Sequence, residues 1–167
     1  ETLAHYPFRF RLEMAVRPVS GALEITTTIA NANAGGGVMP FSFGLHPYFN
    51  VTDLSRTSLE GLAPQCLNHL VMAEAETAGQ LSRLPEGVDF LTRPAGPVTL
   101  VDEAAGTRLQ LQHQAPMDLT VVWTEPPRSM VCLEPWPGPR QSLITGDGKL
   151  ELAPGASLQL SCRYSVS

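Results

Sequence analysis

The chain has 167 residues, of which 43% are hydrophobic and 16% are charged, and its formal net charge is −5. This composition is typical of one globular domain with a substantial core, and it argues against a disordered tail. Because the balance is acidic and no cluster of lysine or arginine occurs, nucleic acid and anionic membranes are not expected as partners.

Cysteine usage and hydropathy favour a cytoplasmic protein. Cys66, Cys132 and Cys162 lie far apart and form no CxxC pair, so neither a disulfide framework nor a zinc site is indicated. No apolar run approaches the ~20 residues that a membrane-spanning helix needs, and no signal peptide is visible. The chain begins with Glu1 instead of methionine, and we therefore expect further residues to precede it.

The first part of the chain predicts a β-hairpin. Residues Phe8–Met14 alternate apolar and charged side chains, the period of two that marks a half-buried strand. Ser20-Gly21 supplies a turn, and Ala22–Asn31 is rich in β-branched residues. These two segments are expected to pair as antiparallel strands.

The rest of the chain continues this pattern without a long amphipathic helix. Fifteen prolines and fourteen glycines punctuate it, so helices are expected to be short. The segment Gln65–Leu84 is the least strand-like and is interpreted as an excursion between strands. The predicted class is all-β, a large antiparallel β-sandwich formed by one domain over residues 1–167. The further predicted strands are Ser42–Tyr48, Thr57–Leu62, Val98–Asp102, Thr107–Gln112, Leu119–Thr124, Met130–Glu134, Lys149–Leu152 and Ser157–Ser165.

His46 is the first candidate for catalysis. It lies in the segment FGLHPYF, where Pro47 restricts the histidine backbone to extended conformations. An imidazole with an ordinary pKa near ~6.5 can donate or accept a proton at neutral pH. A structural histidine, hydrogen-bonded among aromatic residues, is an equally good interpretation of the local sequence.

Glu134 is the second candidate, because it ends an apolar run and stands just before Pro135 and Trp136. A carboxylate in apolar surroundings has a raised pKa and becomes a stronger base, suited to removing a proton from a hydroxyl. A strand-end glutamate that faces solvent, or pairs with Arg128 or Arg140, is the alternative.

Taken together, these motifs resemble the aldose 1-epimerase, or galactose mutarotase-like, superfamily. The resemblance extends over essentially the whole chain and is most specific in the Asp89 segment and in the segment that leads into Glu134. Supporting segments are Tyr6-Pro7-Phe8, Met39-Pro40-Phe41, Gly87-Val88-Asp89-Phe90 and Val121-Val122-Trp123-Thr124.

The resemblance implies roles for individual residues. His46 matches the general acid and Glu134 the general base of an isomerase that opens and recloses a sugar ring, without metal or other cofactor. Asp89 matches an aspartate that binds sugar hydroxyls, although a turn aspartate after Gly87 is about as consistent with the local sequence.

Three more residues complete the predicted substrate site. Tyr48 and Trp136 are candidates for packing against the apolar face of a sugar. Arg140 is a candidate for holding a carboxylate or a substrate oxygen, with a solvated arginine as the alternative. Trp123, in contrast, is expected to pack in the core, because it alternates with Val121 and Leu119.

Three functions follow from the resemblance. The first is a mutarotase that interconverts the α and β anomers of a hexose or hexose phosphate. The second is a non-catalytic carbohydrate-binding homologue, and the third is a sandwich domain of a larger carbohydrate-active enzyme. Family members are longer, and in most an additional histidine and arginine contact the substrate. We therefore expect this chain to be the C-terminal part of a longer domain, incomplete at its N-terminus.

Overall fold

A computed structural model describes residues 2–167, which form antiparallel β-strands joined by turns and two short helices. The helices are α1 (Thr77–Leu81) and α2 (Ser142–Thr145), and 3-10 turns occur at Thr2–Ala4, Leu54–Arg56 and Leu84–Glu86. None of the helices described in residues 2–167 has the length and hydropathy of a membrane span. The strands are β1 (Phe10–Val19), β2 (Ala22–Asn31), β3 (Met39–Phe41), β4 (Tyr48–Asn50), β5 (Thr57–Glu60), β6 (Gln65–Asn68), β7 (Ala73–Glu76), β8 (Asp89–Thr92), β9 (Val98–Asp102), β10 (Thr107–His113), β11 (Leu119–Trp123), β12 (Met130–Trp136), β13 (Leu150–Leu152) and β14 (Ser157–Val166).

Two six-stranded sheets make up most of the structure. The first sheet has the strand order β1-β2-β14-β10-β9-β5, and the second has the order β4-β12-β11-β8-β6-β7. A small sheet pairs β13 with β3. All recorded pairings are antiparallel, so the predicted all-β class and its antiparallel sheets are confirmed.

The main core lies between the two large sheets. Leu100, Leu111 and Tyr164 of the first sheet pack with Phe90 and Leu133 of the second, and each is at most 3% exposed. The hydroxyl of Tyr164 also donates a hydrogen bond of 2.8 Å to the carbonyl of Leu133. The sheets are thus joined face to face, which confirms the predicted sandwich.

The hairpin predicted at the start of the chain is present, and β2 has the predicted bounds. β1 occupies an edge of the first sheet, and most of its length is exposed on both faces. The alternation of apolar and charged residues therefore correctly predicted a strand, but the apolar side chains of this strand are not buried by the second sheet. They are Phe10, Leu12, Met14 and Val16, which are 43–53% exposed.

Two predictions for local structure were wrong. Ser42–Tyr48 is not a strand: its residues up to Pro47 form a loop between β3 and β4, which packs Gly44 against the indole of Trp136 instead of joining a ladder. Gln65–Leu84 is not an excursion, because it contains β6, β7 and α1. β7 is an edge strand with mostly exposed side chains, so it needs no apolar pattern and gives no such signal.

Candidate active site

The candidate site lies on the outer face of the second sheet, opposite the main core. Alternate residues of each strand point to this face, and the register aligns them in rows across the sheet. Tyr48 pairs with Cys132, Cys132 with Trp123, and Trp123 with Asp89. In the next row, Glu134 pairs with Val121. Antiparallel register therefore brings together residues that lie far apart in the sequence.

Glu134 is buried although it lies on this outer face. Its side chain is 1% exposed, and the indole N–H of Trp136 donates a hydrogen bond of 3.0 Å to Oε2. Burial raises the pKa of Glu134 to about 7; the Trp136 hydrogen bond and Arg140 oppose this rise, and the charge of Asp89 adds to it. At neutral pH the carboxyl is therefore balanced between its acid and base forms.

His46 approaches Glu134 from the loop between β3 and β4. Its Nδ1 lies 3.5 Å from Oε1 of Glu134, and its side chain is half exposed. The imidazole stacks on Tyr48 at a centroid distance of 5.0 Å and meets the edge of Trp123 at 5.5 Å. The backbone N–H of Leu45 donates to the carbonyl of Pro135, which ties the loop to β12. Both aromatic contacts restrict the orientation of the imidazole.

Asp89 begins β8 and does not lie in a turn, so the turn interpretation was wrong. Its Oδ1 contacts Nδ1 of His69 at 2.7 Å, and its Oδ2 accepts a hydrogen bond of 2.6 Å from Nη2 of Arg140. The pKa of Asp89 is lowered from its ordinary value. Burial alone would raise this pKa, but the hydrogen bonds and electrostatic attraction of His69 and Arg140 together outweigh the effect of burial. Asp89 is therefore a carboxylate at neutral pH.

The alternative interpretations of Glu134, as a residue that faces solvent or that pairs with Arg128 or Arg140, were wrong. Glu134 does not face solvent, and Arg128 pairs with Glu125 at 3.1 Å instead. The ion pair of Arg140 is with Asp89. Arg140 is also only 46% exposed at its side chain, so it is not simply a solvated arginine.

Trp123 was predicted to pack in the core, and this was wrong. Its alternation with Val121 and Leu119 is real, but the shared face is the outer one, which faces away from the first sheet. The half-buried indole contacts His46 and Tyr48 edge-on. Sequence periodicity shows which residues share a face, but not what covers that face.

His69 is a residue of this site that the sequence did not indicate. It follows β6 directly, and its backbone N–H donates to the carbonyl of Asp89 at 2.8 Å. The spacing of His69 from the other histidines does not suit a metal site, and its neighbours in the sequence form no recognisable motif. His69 could have been placed in the site only if Gln65–Asn68 had been recognised as a strand that pairs with Asp89–Thr92. One sequence does not show which strands pair.

One group within residues 2–167 has three side chains of the kind that bind metals. The ligand atoms of His46, Cys132 and Glu134 lie within 4.8 Å of one another. Burial, with a contribution from the charge of Glu134, raises the pKa of the Cys132 thiol to about 12, which opposes formation of the thiolate that a metal needs. The group therefore suits proton transfer between His46 and Glu134 better than metal binding.

The arrangement is suited to acid and base chemistry on two neighbouring atoms. A base with a pKa near the working pH is the most effective kind. His46 supplies a second proton carrier beside it, and Asp89 supplies a fixed negative charge with hydrogen-bond acceptors. A cavity of about 380 Å³ is lined by Leu91, Leu119 and Arg93, and none of the residues that carry this chemistry line it.

Comparisons with known proteins agree with this picture. A family model described as aldose 1-epimerase matches residues 1–165. The Slr1438 protein of Synechocystis sp. PCC 6803 has a solved structure with 27% identity and a TM-score of 0.92, over 99% of this chain and 57% of that protein. A galactose mutarotase-like protein of Clostridium acetobutylicum has 16% identity and a TM-score of 0.79, over 100% of this chain and 59% of its own.

A sequence relative adds a narrower match. A protein of Cenchrus ciliaris, provisionally described as a glucose-6-phosphate 1-epimerase, is 42% identical over 57 residues, which are 34% of this chain and 17% of that protein. The chain thus spans 57% of the Synechocystis protein and a smaller share of the Cenchrus protein. The predicted galactose mutarotase-like fold is confirmed by the solved structures.

Proposed function

Because the chain belongs to the aldose 1-epimerase family, we propose that it is a mutarotase, an isomerase that interconverts the α and β anomers of a hexose. The observation that carries this proposal is the buried carboxyl of Glu134, with a pKa of about 7, 3.5 Å from the imidazole of His46. A protein that only bound sugar would gain nothing from burying this carboxyl, because burial opposes its charge.

The spacing of the two groups suits the reaction. Mutarotation removes a proton from the anomeric hydroxyl and adds one to the ring oxygen, and these two oxygens are bonded to the same carbon. The base and the acid must therefore act close together, as the Nδ1–Oε1 distance of 3.5 Å allows.

In the proposed mechanism, Glu134 is the general base and takes the proton of the anomeric hydroxyl. His46 is the general acid and protonates the ring oxygen as the bond from that oxygen to C1 breaks. Rotation about C1–C2 presents the other face of the aldehyde, and reclosure returns both protons. The reaction needs no redox step, so the chemistry can proceed on side chains alone.

The other predicted residues have supporting roles in this proposal. Asp89 accepts hydrogen bonds from sugar hydroxyls, because its two partners leave part of its acceptor capacity free. Arg140 donates a hydrogen bond to Oδ2 of Asp89, and in this proposal it also binds a substrate oxygen. Trp136 orients Glu134, and Tyr48 supports the imidazole of His46 while its exposed ring offers an apolar surface to the sugar.

The test is the rate at which pure α-glucose equilibrates, followed by polarimetry or saturation-transfer NMR, with the longest natural form in which the chain occurs. Glu134→Gln and His46→Ala are each expected to lower the catalysed rate by about 10²–10⁴-fold, the usual contribution of one acid or base. Equilibration at the rate of the parent protein in both variants would refute the mechanism.

A hexose 6-phosphate is the second candidate substrate, and the description of the Cenchrus relative is what favours it. A panel of free hexoses and their 6-phosphates, compared by kcat/KM, separates the two. A non-catalytic sugar-binding protein would instead bind members of the panel without accelerating equilibration.

A further inference from the structure

His69 is the more deeply buried of the two side chains that contact the carboxylate of Asp89. Its side chain is fully buried, and its Nδ1 lies 2.7 Å from Oδ1 of Asp89. Because Asp89 is ionised and accepts hydrogen bonds, Nδ1 carries the proton of this contact. The backbone N–H of His69 donates to the carbonyl of the same aspartate, so two bonds connect the two residues.

Arg140 holds the other carboxylate oxygen, but in a different way. It comes from the loop after β12, and its side chain is 46% exposed, so water competes for its donors. The histidine, in contrast, directly follows a strand and has no contact with solvent. Of the two partners, His69 is therefore the one that fixes the orientation of Asp89.

Packing alone does not explain a histidine at this position. Its second nitrogen, Nε2, is buried and has no hydrogen-bond partner among residues 2–167. A buried polar atom of this kind costs free energy, and an apolar side chain of similar size would avoid the cost. The contact between Nδ1 and Asp89 is what a histidine supplies here and an apolar residue cannot.

We propose that His69 is a positioning residue for sugar binding: through Nδ1 it orients Asp89 so that the free acceptor sites of the carboxylate face the hydroxyls of the substrate. This inference rests on the proposed function, in which Asp89 binds the sugar. His69 itself does not touch the substrate.

The charge state of Asp89 gives a measurable consequence. The ionisable groups that face it are His69 beside β8, Arg140 from the loop, and Glu134 from β12. Removing the His69 contact leaves Arg140 as the remaining side-chain hydrogen-bond donor to Asp89 in this set. The pKa of the Asp89 carboxyl then rises, because burial is opposed by fewer favourable interactions.

Two substitutions at one position separate positioning from packing. In His69→Asn the side-chain amide N–H₂ stands near the place of Nδ1 and keeps the donor to Asp89. In His69→Gln the longer side chain places its amide near Nε2, and the donor is lost. Both variants remove the ring, so both are expected to lose similar thermal stability.

The experiment measures KM and kcat for mutarotation, sugar affinity from tryptophan fluorescence, and the Asp89 carboxyl pKa by ¹³C NMR. His69→Gln is expected to raise KM and weaken affinity by about 10- to 100-fold, as for loss of one hydrogen bond to a charged group, with a much smaller change in kcat. It should also raise the pKa of Asp89. His69→Asn should resemble the parent in KM, kcat and affinity, and should raise the Asp89 pKa less than His69→Gln does, because it keeps the hydrogen bond and loses only the electrostatic contribution of the ring.

Two results would overturn the proposal: equal KM and Asp89 pKa in His69→Gln and the parent, or equal losses in the Gln and Asn variants. If the parent does not accelerate mutarotation at all, the proposed function fails by itself. The carboxyl titration and the affinity for sugar still decide the role of His69 in that case.

Discussion

Glu134 occupies a position that most carboxylates avoid, at 1% exposure of the side chain on an otherwise apolar strand. One indole N–H is its single hydrogen-bond donor among the described residues. The resulting pKa of about 7 makes the residue a strong base under physiological conditions, but only while it is deprotonated. The same feature controls two measurable properties, the pH dependence of activity and that of stability.

Activity should fall with acidification below about pH 7. As the pH drops below the pKa of Glu134, about 7, the fraction of carboxylate falls tenfold per pH unit, and kcat/KM should follow it. Trp136→Phe removes the donor that stabilises the carboxylate, so the pKa of Glu134 rises and the acidic limb moves to higher pH. The variant should therefore be slow at pH 7 and recover towards pH 8.5. An acidic limb that stays in place would contradict this assignment of the base.

Stability should change in the opposite direction from activity. The Glu134 carboxyl loses its proton near 4.5 in the unfolded chain and near 7 in the folded one, so the folded protein binds more protons between these values. Stability therefore falls as the pH rises through this window, by up to about 3 kcal/mol.

Glu134→Gln removes this pH dependence while retaining an acceptor for Trp136. At pH 8 the variant is expected to be about 10²–10⁴-fold slower than the parent yet about 1–3 kcal/mol more stable, with a difference in stability that shrinks towards pH 4.5. Chemical denaturation at several pH values measures it. A variant that is less stable than the parent at pH 8 would show that the carboxylate is favourably bound in the fold.

The strands show what one sequence can predict and where it stops. β2, β9 and most of β10 to β14 were predicted because their apolar alternation or β-branched residues follow from burial of one or both faces. β7 was missed because an edge strand with exposed side chains carries no such pattern. The candidate site residues His46, Glu134 and Asp89 were predicted from their motifs, whereas the positions of His69 and Trp123 depend on the order of strands in the sheet.

The loop between β3 and β4 illustrates a constraint that acts between elements. Gly44 lies against the indole of Trp136: a Cβ added there would be 2.8 Å from both Cδ1 and Nε1. The loop can thus approach β12 closely enough for His46 to reach Glu134. Because Gly44 has no Cβ, the loop can lie in contact with the side chain of Trp136 on β12.

Gly44→Ala should therefore impair catalysis by displacing the ring of Trp136. The added methyl is expected to cost about 1–3 kcal/mol of stability, as overpacking does, and to weaken the hydrogen bond to Glu134. The rate at pH 7 should fall more than the rate at pH 8.5, because that bond lowers the pKa of Glu134. Gly96→Ala is the matched control, since a Cβ there meets no atom within 4 Å. Equal effects of the two substitutions would show that the contact is unimportant.

At the scale of the whole molecule, the second sheet does not cover the whole inner face of the first sheet, and β1 is left exposed. Leu12 pairs with Ile29, Met14 with Thr27 and Val16 with Ile25, so these β1 side chains continue the face that elsewhere forms the core. Ile29 is 3% exposed, whereas Leu12 is 47% exposed. β1 also offers the unpaired backbone groups of an edge strand. Exposed apolar residues on such an edge favour pairing between copies of a chain.

We therefore expect this chain to self-associate with increasing concentration, and Leu12→Lys to reduce the association. A lysine on the edge strand places a charge in the apolar row and hinders pairing, while the cost in stability stays below about 1 kcal/mol because the site is half exposed. Val71→Lys is the control, since it adds the same charge at an apolar residue that is 68% exposed and lies in the turn between β6 and β7 of the second sheet. Sedimentation velocity over a range of concentrations measures the outcome. Equal reductions in both variants would show that the apolar row of β1 is not the surface that associates, and a monomeric parent at all concentrations would show that the exposed row does not drive pairing.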